Sequence, residues 1–144
     1  MPAVSDRPLA LAAETAADLM RRDVAAISVD ATFAQALAVL IDRNLTVAPV
    51  VDDRGGPVGV ISLTDLLIHV RECIVPDRGG AGRVEPASAD SLMTPTVFAV
   101  DARTPAADVV RDMVRSRVHH LFVTDDAGRI VGVVSACDVL HHLR

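Results

Sequence analysis

Apolar residues recur along this chain with two spacings, one typical of amphipathic helices and one of short buried strands. The helical spacing predicts five helices, over residues 10–20, 33–43, 64–71, 105–117 and 137–142. Pro105 suits the first turn of the fourth helix. Short apolar runs predict six strands, over residues 26–29, 47–51, 58–62, 97–100, 121–124 and 130–134. Turns rich in Asp and Gly, at 52–56 and 125–128, predict two hairpins.

The order strand, helix, strand, strand, helix thus occurs twice, and the sequence itself repeats with it. A shift of 73 residues places Leu19-Met20 on Leu92-Met93, and the run from Gly59 to Asp65 on the run from Gly132 to Asp138. A three-stranded sheet with two short helices leaves an apolar face open. We therefore expect an α+β fold in which the two copies pack against each other with pseudo-two-fold symmetry.

The repeat divides the chain into four parts. They are an N-terminal segment (1–15), a first repeat (16–72), a flexible glycine-rich linker (73–88) and a second repeat (89–144).

Composition narrows the function. The net charge is −5, every basic residue is Arg, and Trp and Tyr are absent, which disfavours nucleic-acid binding. Cys73 and Cys137 stand far apart, so a disulfide framework is not expected. No apolar run is long enough to cross a membrane and no signal peptide is evident, so we expect a cytoplasmic protein.

The tandem repeat resembles the CBS domain family. The resemblance rests on the strand–helix order, on Met-Thr-Pro at 93–95 and on the paired Gly-h-h-Ser-x-x-Asp signatures, where h is apolar. Two such repeats look like a Bateman module. The resemblance implies a regulatory module that binds an adenine nucleotide (AMP, ADP, ATP or S-adenosylmethionine) in clefts between the repeats. It also implies a homodimer and, in some members, a regulated protein partner.

The resemblance assigns residues to each cleft, with the signature Asp holding the ribose hydroxyls and hydroxyl or basic side chains near the phosphates. The first cleft comprises Val60, Ser62, Thr64, Asp65, Thr94, Pro95, Thr96 and Val97. The second comprises Val133, Ser135, Asp138, His119 and His120, with Asp23, Val24 and Ala25 leading into the first strand. The clefts are unequal, because Thr46 and Val47 replace the two histidines in the first, and Cys137 replaces Thr64 in the second.

Other interpretations remain open at this stage. Ser62 and Ser135 suit helix N-caps, with Asp65 and Asp138 favouring the first turn, and this role needs no ligand. The histidines at 119, 120, 141 and 142 leave a zinc site conceivable. Cys137 lies at a predicted helix start, where the pKa of a thiol falls, so two interpretations stay open. It is either a reactive thiol or a small residue that replaces Ser or Thr. A ligand-free dimerisation module is the main competing function. No catalytic constellation is evident, so we expect neither an enzyme nor a catalytic cofactor.

Overall fold

A computed structural model describes residues 7–76, 79–80 and 82–144 of the chain. The helices within these residues are α1 (Ala16–Leu19), α2 (Phe33–Asp42), α3 (Leu63–Cys73), α4 (Ala89–Leu92), α5 (Ala106–Ser116) and α6 (Ala136–His141). The strands are β1 (Ile27–Ser28), β2 (Val47–Val51), β3 (Pro57–Ser62), β4 (Ile74–Pro76), β5 (Gly82–Val84), β6 (Ala99–Asp101), β7 (His120–Thr124) and β8 (Ile130–Ser135).

Contacts divide these residues into two compact units, which we name after their longer helices. The α2/α3 unit comprises the described residues of 23–97 together with 126–130. The α5/α6 unit comprises residues 7–22, 98–125 and 131–144. Each unit combines helices with a three-stranded sheet, so the α+β class predicted from the sequence is confirmed.

The sheet of the α2/α3 unit has the order β1-β2-β3. Strand β1 runs parallel to β2, and β2 pairs antiparallel with β3, with Val47 opposite Ser62. Helix α2 begins at a capping box formed by Thr32 and Gln35, and it buries Ala36 and Leu40, four residues apart, against the sheet. The apolar residues that predicted this helix from their helical spacing are therefore also the ones that the helix buries.

The α5/α6 unit repeats this plan with the order β6-β7-β8, in which β6 runs parallel to β7. Helix α5 buries Ala106, Val109 and Met113, and these side chains pack with Val134 of β8. Pro105 caps α5 from outside rather than occupying its first turn. Its extended backbone accounts for the difference, since the helix begins only at Ala106.

The two short leading helices have exchanged places. Helix α1, at the start of the first repeat, lies in the α5/α6 unit, where Ala16 and Leu19 join the core. Helix α4, at the start of the second repeat, lies in the α2/α3 unit, where Ala89 is fully buried. Each leading segment therefore completes the core that is otherwise built by the other repeat.

The predicted helix over residues 10–20 is wrong in its first half. The backbone N–H groups of Glu14 and Thr15 both donate to the Asp18 carboxylate, which starts α1 only after Thr15. Ala10 pairs with Arg144 through backbone hydrogen bonds in both directions. Residues 10–12 are therefore held by the C-terminal segment in an extended form that local helix propensity does not reveal.

The predicted linker also carries secondary structure. Strands β4 and β5 pair antiparallel, with Ile74 opposite Val84 and Pro76 opposite Gly82. Residues 77, 78 and 81 of the predicted linker lie outside the described residues. Among the described helices, none has the length and apolar character needed to cross a membrane.

Candidate functional site

The turn from the third strand of each sheet into the next helix carries the same reciprocal capping pair in the two units. Ser135 N donates to Asp138 Oδ2 (2.8 Å), and Asp138 N donates to Ser135 Oγ (3.1 Å). Ser62 and Asp65 form the same reciprocal pair, at 2.8 and 3.1 Å. The capping interpretation of these serines and aspartates is therefore confirmed. Within the described residues these contacts use Oδ2 of each carboxylate, so Oδ1 remains available to a ligand.

Backbone amides at these helix starts are less available than the sequence suggests. The amide of Leu63 donates to Thr46 O, and the amide of Ala136 donates to His119 O, each at 3.0 Å. The third amide of each helix is bound by the capping serine. The side chains of Thr64 and Cys137, which follow the first helical residue, are both exposed.

The signature glycines mark the point where a leading segment crosses the sheet. A Cβ added at Gly59 would lie 2.6 Å from Met93 Sδ and 2.7 Å from Thr94 O. A Cβ at Gly132 would collide with Met20 Sδ and lie 3.0 Å from the carbonyl oxygen of Arg21. At Gly59 the backbone of another segment occupies the space of a side chain, whereas at Gly132 the Met20 side chain occupies most of that space.

These crossings bring some of the predicted site residues together. Val60 and Thr94 exchange backbone hydrogen bonds of 3.0 and 2.9 Å in the α2/α3 unit. The α2/α3 unit contains all eight residues predicted for the first cleft: Val60, Ser62, Thr64, Asp65, Thr94, Pro95, Thr96 and Val97.

In the α5/α6 unit, Val133 pairs with Arg21, not with Val24 or Ala25. Arg21 and Val133 exchange two backbone hydrogen bonds of 2.9 Å. Asp23, Val24 and Ala25 belong to the α2/α3 unit instead. Sequence reasoning missed Arg21, although the shift of 73 residues that aligns the repeats places it on Thr94.

A cavity of about 510 Å³ lies at the signature turn of the α5/α6 unit. Four residues predicted for the second cleft line it: His119, His120, Ser135 and Asp138. The rest of the lining was not predicted: Arg21, Ala136, Cys137 and His141. The size falls within the range of small-molecule sites.

Arg21 and Asp138 place opposite charges next to each other in this cavity. Arg21 Nε lies 3.4 Å from Asp138 Oδ2, and the Arg21 side chain is about half exposed while that of Asp138 is largely buried. Burial, assisted by the nearby Arg21 guanidinium and by His119, lowers the pKa of His120, and Asp138 opposes this change. The cavity therefore has one carboxylate facing an arginine and three imidazoles.

Cys137 and His142 make contacts within α6 and at its end. Cys137 Sγ lies 3.9 Å from His141 Nε2, one helical turn away. His142 Nδ1 is 2.8 Å from the backbone oxygen of Asp138, at the end of α6. Within the part of the chain that the structure describes, no three His, Cys, Asp or Glu side chains are placed to hold a metal ion.

A second, apolar groove of about 470 Å³ lies between α5 and α6. Val114 is 73% exposed there and Leu140 62%. In the α2/α3 unit the residues at the matching positions, Ile41 and Leu67, are exposed by 59% and 67%. Each unit thus presents an apolar pair, which we call the exposed helix face.

The CBS domain family matches residues 16–72 and 89–144, which together make up more than half of the chain. The chain belongs to the CBS domain family. The units described above are therefore built from two CBS repeats with exchanged leading segments.

Curated relatives match most of this chain within longer sequences. The γ-3 subunit of 5'-AMP-activated protein kinase from Sus scrofa is 29% identical over 122 residues, covering 85% of this chain and 24% of that protein. A UPF0053 protein from Mycobacterium tuberculosis is 30% identical over 124 residues, covering 85% and 27%. The chain thus spans about a quarter of the length of these relatives.

Solved structures share the fold. The cytosolic domain of the Mg²⁺ channel MgtE in complex with ATP is 28% identical, with a TM-score of 0.71 over 89% of this chain and 48% of that one. CBSX2 in complex with AMP is 24% identical, with a TM-score of 0.71 over 90% and 95%. The second likeness is one of fold alone.

Proposed function

We propose that this chain is a regulatory, non-catalytic module that binds an adenine nucleotide in the cavity of the α5/α6 unit. The observation that carries the proposal is the composition of that cavity. Asp138 offers a free carboxylate oxygen to a ribose, and Arg21, His119 and His120 offer cationic or hydrogen-bonding groups to a phosphate. One pocket thus holds the partners that both polar parts of a nucleotide require.

Two relatives support this choice of ligand. The γ-3 subunit is 29% identical and belongs to a kinase named for its activation by AMP. The MgtE domain, 28% identical, was solved with ATP. A regulated protein partner and a cytoplasmic location are part of the same proposal.

Thermal unfolding with AMP, ADP, ATP and S-adenosylmethionine tests the proposal directly. A ligand at one hundred times its dissociation constant adds about 2.7 kcal/mol to the free energy of unfolding. We expect one of these compounds to raise the unfolding midpoint by several degrees. A flat response to all of them would contradict nucleotide binding.

Substitution of Asp138 by Asn locates the site. Asn keeps an oxygen that accepts from Ser135 N, whereas Ala would also remove the helix cap. We expect Asp138→Asn to abolish the stabilisation by ligand. The matched variant Asp65→Asn alters the same capping pair in the α2/α3 unit and should leave the stabilisation unchanged.

Alkylation of the two cysteines gives a second readout. Cys137 lines the cavity and is exposed, whereas Cys73 lies in the α2/α3 unit and serves as the internal reference. We expect bound nucleotide to slow the reaction of Cys137 with iodoacetamide and to leave Cys73 unaffected. Equal rates with and without nucleotide would place any ligand elsewhere.

We propose a second, compatible function, homodimerisation through the exposed helix faces. The repeat places large apolar side chains at the same exposed positions in both units, Ile41 with Leu67 and Val114 with Leu140. An apolar face is self-complementary, as a two-fold interface between identical chains requires. Sedimentation of the pure protein tests this, and a monomer at all concentrations would refute it.

A further inference from the structure

The apolar groove between α5 and α6 is lined by smaller apolar side chains than those at the matching positions of the α2/α3 unit. The shift of 73 residues that aligns the repeats places Ala136 on Leu63 and Val110 on Leu37. In the α2/α3 unit the larger Leu63 packs against the buried core. Because close-packed interiors leave few voids, smaller side chains at these positions open space between the two helices. The groove of about 470 Å³ therefore depends on residues that only the second repeat has.

Two polar side chains, Arg117 and His119, interrupt this lining, and every other side chain that lines the groove is apolar. In the part of the chain that the structure describes, no carboxylate lies within ion-pair distance of the Arg117 guanidinium. The matching residues of the α2/α3 unit are Asn44 and Thr46, so this positive charge is particular to the second repeat. An apolar groove that carries an unpaired cation is complementary to a ligand with an apolar chain and one negative charge.

Arg117 holds its side chain at the groove through a left-handed backbone. Its φ is 55°, a conformation that Asn44 adopts at lower cost in the first repeat. The amide of Arg117 donates to the carbonyl oxygen of Val114, so the residue is fixed to the last turn of α5. Residues in strained conformations cluster at active sites and ligand-binding positions. A role in holding an anion accounts for the presence of a guanidinium where a smaller residue would cause less strain.

We propose that this groove binds a free, unbranched medium-chain fatty acid, with its carboxylate at Arg117 and its apolar chain between the two helices. A guanidinium offers two parallel N–H donors to a carboxylate, and His119 of the same groove adds a hydrogen-bonding group. The chain contributes binding free energy for each methylene that leaves water. Val114 and Leu140 of the exposed helix face also line the groove, so a bound fatty acid competes with a second copy of the chain for this surface. Nucleotide binding is not required for this site.

Calorimetric titration of the intact chain with octanoate, decanoate and 1-octanol tests the proposal. We expect decanoate to bind about tenfold more tightly than octanoate, because two more methylenes leave water. Arg117→Asn should weaken octanoate binding about fivefold and leave 1-octanol binding unchanged, since only the carboxylate loses a partner. Asn44 has the same backbone conformation at the matching position, so this variant keeps the fold. The control Arg115→Gln removes a charge from an exposed residue of α5 outside the groove and should change neither affinity.

Ala136→Leu closes the groove with the side chain that the matching position of the other unit already has. Leu63 donates its amide to Thr46 O as Ala136 donates to His119 O, so Leu is compatible with this backbone. We expect Ala136→Leu to weaken both octanoate and 1-octanol binding about tenfold, because it fills the space that the chain would occupy. Ala107→Leu adds the same side chain at an exposed position of α5 outside the groove and should change neither affinity.

Unchanged octanoate binding in Ala136→Leu, or equal losses of octanoate and 1-octanol binding in Arg117→Asn, would overturn the proposal. Sedimentation of the same samples identifies a competing occupant of the groove. Conversion of a dimer to a monomer by decanoate would support the proposal. A dimer that neither binds decanoate nor separates would show that a second copy occupies the groove, and the fatty-acid site would then be wrong. A monomer that does not bind decanoate would refute it as well.

Discussion

At the scale of single residues, the signature glycines and serines have structural duties that are independent of any ligand. The glycines admit the backbone of a crossing segment, and the serines close capping pairs with Asp65 and Asp138. A retained Gly-h-h-Ser-x-x-Asp motif is therefore evidence for the fold before it is evidence for a nucleotide. The residues that distinguish the two sites are the ones outside that motif.

The two glycines make unequal demands on space. At Gly59 an added Cβ meets the Thr94 carbonyl oxygen at 2.7 Å, and backbone cannot easily move. At Gly132 the closest collision is with the flexible end of Met20, and the nearest carbonyl oxygen is 3.0 Å away. We expect Gly59→Ala to lower the free energy of unfolding by about 2 kcal/mol and Gly132→Ala by about half as much. Urea unfolding measures both, and equal losses would contradict the argument.

His120 links stability to pH. Because its pKa is lowered in the folded chain, the unfolded chain binds a proton more readily between that value and the ordinary one of about 6.5. Stability is therefore lost as the pH falls below about 6.5. We expect His120→Gln to flatten this loss when unfolding midpoints are compared at several pH values. Parallel pH profiles for the two proteins would show that His120 is not responsible.

At the scale of elements, α2 and α5 occupy matching places in the repeat but are followed by different residues at the position where the backbone turns left-handed. Asn44 and Arg117, at equivalent positions after these helices, both adopt positive φ, 54° and 55°. Asn enters the left-handed region at lower cost than Arg, because its short side chain can bond locally. The left-handed backbone is therefore more strained at Arg117, in the second repeat, than at Asn44, in the first.

Exchange of these two residues tests the strain. We expect Arg117→Asn to raise the free energy of unfolding by about 0.5–1 kcal/mol, and Asn44→Arg to lower it by about the same amount. Chemical denaturation of both variants measures the two changes. Changes of the same sign in both would point to a cause other than backbone conformation.

At the scale of the whole molecule, the exposed helix faces are the feature that an isolated chain leaves unexplained. Large apolar side chains at four equivalent positions are exposed by more than half of their surface. Single exposed apolar residues need no explanation, but an arrangement duplicated by the repeat does.

Charged substitutions at these faces should separate a dimer without unfolding the chain. We expect the double variant Leu67→Glu with Leu140→Glu to sediment as a monomer, while its unfolding midpoint in isolation changes little, because both side chains are exposed. Ala107→Glu, on an exposed position of α5, is the control and should sediment like the unaltered protein. A double variant that remains dimeric would exclude these faces as the interface.

The sequence by itself determined what depends on neighbouring residues. Strand β2 was predicted with its observed bounds, and the other five predicted strands and the longer helices within a few residues, because burial follows local period. Strands β4 and β5 were not predicted. The capping roles of Ser62 and Ser135 were also among its interpretations, since a serine and an aspartate three residues apart can close such a pair unaided. The sequence repeat then predicted the elements of the second repeat from those of the first.

Only the tertiary structure decided which distant segments meet. Local pattern predicted a helix over residues 10–20, but backbone pairing of Ala10 with Arg144 keeps its first half extended. The exchange of α1 and α4 likewise brings Arg21 to Asp138 from the other end of the chain. Such pairings depend on which apolar faces and backbone edges fit together across the fold, and no local period encodes that choice. The capping pairs that the two sites share could therefore be predicted from the sequence. The Arg21–Asp138 ion pair, which only one of them has, could not.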